Sequence, residues 1–161
     1  MTVHTEIRTT KRRPNLVQAL TIGACLQILC IALPLLDVWL IGSIEQHVQN
    51  AYPEWGPDNV NLDRNAIAGY LVIVGVLGLA GWLGALWSAK KDVAVRAVVT
   101  TLFVVGTCVL LFDVGYAGEH YDPIVPLWLG VTLLVIPLLP GITAVMAAWV
   151  LPPTERADRH D

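Results

Sequence analysis

The sequence predicts an all-α integral membrane protein, a four-helix transmembrane bundle with both termini in the cytoplasm. Three observations predict it. Four apolar stretches, each long enough to cross a bilayer, take up most of the 161 residues. Charged residues make up only 14% of the chain, where a soluble domain carries about 25%. The ten Lys and Arg are also placed unevenly. Arg8, Lys11, Arg12 and Arg13 precede the first stretch, Lys90, Lys91 and Arg96 flank the middle connection, and Arg156 and Arg159 follow the last, leaving Arg64 alone in the other two connections. Cytoplasmic segments carry the excess of Lys and Arg, so both tails and the middle connection are expected inside, in a multi-pass protein of the plasma membrane.

Residues 1–14 read as a basic cytoplasmic tail and residues 15–151 as a single four-span domain. The first span is expected over 15–43. Its apolar run is about twice a signal peptide's, so it reads as a retained anchor. Pro34 should bend it and free the carbonyl of Cys30. An outer loop follows over 44–65, polar and turn-rich around Tyr52-Pro53-Glu54-Trp55-Gly56-Pro57, with Asp63 or Asn65 capping the next helix. The second span covers 66–89. Gly75, Gly78, Gly81 and Gly84 recur every third residue there, and small residues let helix backbones approach closely in lipid. They are the expected helix-packing face, within the bundle or toward another subunit. Lys90-Lys91-Asp92 forms a short turn into the third span, 93–117. The fourth span, 124–151, contains Pro137 and Pro140, a kink or a hinge. Residues 152–161 form a second cytoplasmic tail.

Leu36-Asp37-Val38 and Phe112-Asp113-Val114 echo each other, which reads either as chance or as a duplicated hairpin. The outer face is acidic (Glu45, Glu54, Asp58, Asp63, Glu119, Asp122), suiting either orientation or the attraction of cations.

Asp37 and Asp113 are the acids well inside apolar runs, and both fall near the outer end of their spans. An intramembrane carboxylate must protonate, pair or reach the interface. Gly23, Gln27, Cys30, Pro34 and Asp37 are spaced 4, 3, 4, 3 and form one stripe of a helix facing the bundle. Gly106, Val109, Asp113 and Tyr116 share a face of the third span, with His120 joining if the helix continues. Asp37, Asp113, Gln27, Tyr116 and His120 are therefore the candidate ion or proton site, with His47 nearby. The plainer alternative leaves both acids near the headgroups, satisfied by water, Arg64 or helix N–H groups.

Cys25, Cys30 and Cys108 form no C-x-x-C pair, and no His stands at a zinc-like distance from them in sequence, so neither thiol chemistry nor a metal site is expected. Phosphate-binding loops, dinucleotide fingerprints and nucleophile elbows are lacking. No enzyme, cofactor or nucleic-acid partner is expected. The expected partners are the lipid bilayer and other membrane proteins, or a second copy through the second span. Two functions remain: a non-enzymatic scaffold, accessory or complex subunit, and a small cation- or proton-coupled transporter or oligomeric channel using the intramembrane acids.

Overall fold

The computed structural model describes residues 14–117 and 123–150. Helix α1 spans Pro14–Leu36 and passes into a π-helical turn, Asp37–Ile41. Short helix α2 is Ser43–Ala51, α3 is Pro57–Lys91, α4 is Val95–Gly115 and α5 is Leu127–Trp149. Four of these helices are long and apolar enough to cross a membrane, and the described residues contain no strand. The protein is an all-α, polytopic membrane bundle.

Lipid rather than water explains the surface. Trp39, Leu40, Ile73, Leu77, Val105 and Phe112 are all more than half exposed. In water so much apolar surface would drive association, whereas in lipid it costs nothing. Only 11% of the most apolar window of α4 is buried inside the bundle, so that helix contacts lipid most widely.

Packing follows small residues. A Cβ on Gly75 would approach Ile31 Cγ1 to 2.7 Å, and one on Gly78 would approach Gln27 Nε2 to 2.8 Å. The ring of Trp82 lies directly on Gly23, leaving no room for a Cβ. These three contacts run α1 and α3 antiparallel at close range. On the other side, Phe103 of α4 occupies the space above Gly141 of α5, and Val114 packs near Gly130. Helix α1 also packs against α5, so the close pairs run α3–α1–α5–α4. Helices α3 and α4 are neighbours in sequence yet touch least of the spanning pairs that meet, which leaves a seam between them.

Buried side chains form two clusters. At the α2 end, Ile44, Val48, Val60, Leu71, Val125 and Leu129 pack together. At the end holding the α3–α4 turn, Leu16, Leu20, Ala85, Val95, Val99 and Ala148 do so. The turn is tight, with Asp92 and Ala94 at φ 54° and 48°. Ser88 holds it by donating from Oγ to the Val93 carbonyl at 2.5 Å. Arg96 Nε then reaches the Ala148 carbonyl at 3.2 Å, with its guanidinium 5.5 Å from the Trp149 ring centre.

The segment 44–65 departs from the expected loop. It holds α2 and the first turns of α3, which begins at Gly56 as cap with Pro57 in its first turn. Pro suits that position because its missing N–H would have no partner there. Asp63 and Asn65 therefore lie inside α3 and do not cap it. At ~1.5 Å per residue the 35 residues of α3 run about 52 Å, well beyond a ~30 Å hydrocarbon core. Its polar start projects past the lipid, where Arg64 Nη1 pairs with Glu45 Oε2 of α2 at 2.7 Å. The other spans end within a few residues of expectation, except that regular α-helix in the first stops at Leu36.

The glycines also divide differently from a single face. A step of three residues turns a helix by about 300°, so four such glycines drift round half its circumference. Gly75 and Gly78 face α1, the nearest neighbour of a Gly81 Cβ is Leu102 at 3.6 Å, and a Gly84 Cβ would meet nothing within 4 Å. Gly141→Ala should therefore lower stability by about 1–3 kcal/mol through overpacking against Phe103, while Gly84→Ala should be neutral or slightly stabilising, as read by reversible unfolding in mixed micelles.

Candidate functional site

Asp37 is built into a structural knot. Pro34 interrupts the hydrogen-bond ladder of α1, and the chain widens to a π turn three residues later. Gly42 ends that turn at φ 75°, a conformation that favours glycine, and donates its N–H to the Asp37 carbonyl at 2.7 Å. The Asp37 carboxylate then accepts the backbone N–H of Ser43 at 3.3 Å and of Ile44 at 2.8 Å. It also accepts the Ser43 hydroxyl, and that hydroxyl oxygen accepts Trp128 Nε1 of α5 at 3.0 Å. Three successive amides thus close on one residue. A carboxylate at the first N–H groups of α2 is favoured by both hydrogen bonding and the helix dipole. Asp37 is completely buried (0% exposed), and its polar capacity is spent holding α2 to the end of α1.

Asp113 has a different environment. It is 7% exposed, and Tyr70 of α3 donates its hydroxyl to Oδ1 at 2.6 Å. Oδ2 is buried with no hydrogen-bond partner, alone in this respect among the described side chains. The two Asp-Val echoes therefore have unlike roles.

Gln27 is also buried, 8% exposed, donating from Nε2 to the Gly75 carbonyl at 3.1 Å. Gln27 and Asp113 line one small cavity of about 20 Å³ with Cys30, Leu71, Gly75 and Gly130. It adjoins a larger cavity of about 310 Å³ in the α3–α4 seam, both being walled in part by Gln27, Val74 and Leu110. The larger cavity is almost wholly apolar. Leu77, Leu102, Val105 and Val109 line it and are themselves exposed, so it opens sideways toward lipid.

Of the residues singled out from sequence, Asp113 and Gln27 share a cavity, and Asp37 is engaged elsewhere by α2. Tyr116 is exposed and stacks on Phe112 with ring centres 4.7 Å apart. His120 lies outside the described residues. His47 Nε2 is 2.8 Å from the Pro123 carbonyl, tying α2 to the connection before α5. Gly78 and Gly81 line the large cavity, and Gly78 also packs on Gln27 of α1.

Tyr70 was not singled out from the sequence. Its signal was depth: Tyr70 lies near the start of the second span and Asp113 near the end of the third, which puts both at the same end of antiparallel helices. Among the described residues, no three His, Cys, Asp or Glu gather around a possible metal position.

Comparison with known protein families, curated proteins and solved structures finds no match.

Replacing Asp37 tests the knot. Asp37→Ala leaves the Ser43 and Ile44 amides without acceptors, at an expected cost of about 1–3 kcal/mol. Hydrogen exchange at those amides should rise while exchange at mid-α3 stays slow. Exchange unchanged at Ser43 and Ile44 would contradict the capping role.

Proposed function

We propose that this polytopic membrane protein is a non-enzymatic accessory protein that takes one apolar, membrane-dissolved molecule into the α3–α4 seam. The observation that carries this reading is the 310 Å³ cavity, open sideways and lined almost entirely by apolar side chains. Small-molecule sites span roughly 300–1,000 Å³ and are mostly apolar with a few placed polar groups, here Gln27 at the inner wall. Close packing of α1 on α3 at Gly23, Gly75 and Gly78, and of α5 on α4 at Gly141, supports a tight frame beside one loose seam.

Transport coupled to a pair of carboxylates has less support, because Asp37 spends its acceptors on α2. A scaffold assembled through the glycines of α3 likewise has Gly75 and Gly78 committed to α1. The plasma membrane with both termini cytoplasmic is the orientation favoured by the Lys and Arg distribution.

Filling the seam tests the reading. Gly106 lines the cavity and its Cβ would meet nothing within 4 Å, so Gly106→Leu should fold normally while occupying the space. Protein in nanodiscs, analysed by intact-assembly mass measurement, should carry one apolar adduct, and the variant should lose it. An adduct retained in full by Gly106→Leu would overturn the proposal.

A further inference from the structure

We propose that Asp113 receives the ammonium head of a lipophilic primary amine that enters from the bilayer between α3 and α4. This names the ligand class for the seam and rests on the binding role proposed above.

Three observations converge. Asp113 is buried (7% exposed), yet its carboxylate Oδ2, itself buried, has no partner. An unpaired oxygen of this kind is costly in a low-dielectric interior, and a bound donor would remove the cost. Tyr70 supplies one neutral donor, and no Lys or Arg side chain pairs with Asp113 among the described residues. The described salt bridge, Arg64–Glu45, lies at the polar start of α3, and Arg96 is engaged at the opposite end of the bundle. A ligand that brings both a positive charge and N–H donors fits what Asp113 lacks.

The space matches the same chemistry. The small cavity beside Asp113, about 20 Å³, exceeds the roughly 10–15 Å³ that one water needs, so it suits a single ammonium group. Gln27 lines it as well, and a side-chain amide oxygen accepts hydrogen bonds. The adjoining 310 Å³ apolar cavity gives the hydrocarbon body a place beside Leu77, Val105 and Leu110. Amphiphilic amines partition into bilayers, so a lateral mouth delivers them without passage through water. Head and body have separate receptors, and each can be removed alone.

The probes are dodecylamine, charged at neutral pH, and dodecanol, its uncharged counterpart, added to the full chain in zwitterionic nanodiscs with empty nanodiscs as the partition blank. Saturable binding of one dodecylammonium per chain is expected, with dodecanol roughly 10- to 100-fold weaker, the value of a charge-assisted hydrogen bond. Asp113→Asn keeps an acceptor for Tyr70 and should weaken dodecylammonium binding by the same factor while leaving dodecanol unchanged. Gly106→Leu should abolish binding of both. Equal binding of dodecylammonium by the native chain and Asp113→Asn overturns the role of Asp113 but leaves the seam as a site. Equal binding of the two probes does the same. No saturable binding of either probe overturns the seam and the amine together.

Discussion

Inside a bilayer there is no water to complete an unfinished hydrogen bond, and this constraint organises the whole bundle. Several departures from regular helix have a named partner. The amides of Gly42, Ser43 and Ile44, just past the π turn, close on Asp37, the α3–α4 turn is held by Ser88, and Arg96 spends its Nε on the end of α5. Gln27, at mid-bundle, donates to the backbone of α3. Against that background, Oδ2 of Asp113 stands out as the buried side-chain atom among the described residues that is left unanswered. In a medium that penalises such atoms heavily, its retention beside a cavity points to binding.

Small residues explain where the bundle closes and where it does not. Glycine at 23, 75, 78 and 141 brings α1 onto α3 and α5 onto α4. The α3–α4 seam has Gly81 and Gly106 too, but no side chain from across the seam approaches a Cβ there more closely than Leu102 at 3.6 Å from Gly81. The short turn between Lys91 and Val95 joins the two helices at one end, and their bodies then diverge enough to leave the cavity. The close glycine contacts on α1–α3 and α4–α5 contrast with the open α3–α4 seam, where the large cavity lies.

Much of this architecture was legible in the sequence. Four long apolar runs define the spans, and the 4, 3, 4, 3 stripe from Gly23 to Asp37 does face inward, with each of its members buried. Helix α2 was not legible. It has only nine residues with two buried apolar side chains, Ile44 and Val48, and it depends on a carboxylate six residues upstream of its first residue and on packing against α3 and the Val125–Leu129 region. Local composition contains neither. The division of labour between the acids was also hidden. Asp37 and Asp113 look alike as acids near the ends of apolar runs, and the difference between them is made by Gly42 bending the chain back in one case and by Tyr70 reaching across from another helix in the other.

An α3–α4 seam that takes a ligand from the bilayer must be open to lipid at the depth of Trp82, whose ring lies on Gly23 and also lines the large cavity. A variant keeping Trp82 as its one tryptophan, reconstituted in lipids with brominated acyl chains, reads this directly through fluorescence quenching. Strong quenching, reduced when Gly106→Leu fills the seam, is the result expected. Fluorescence indifferent to brominated chains would mean that the seam is closed and would contradict the account.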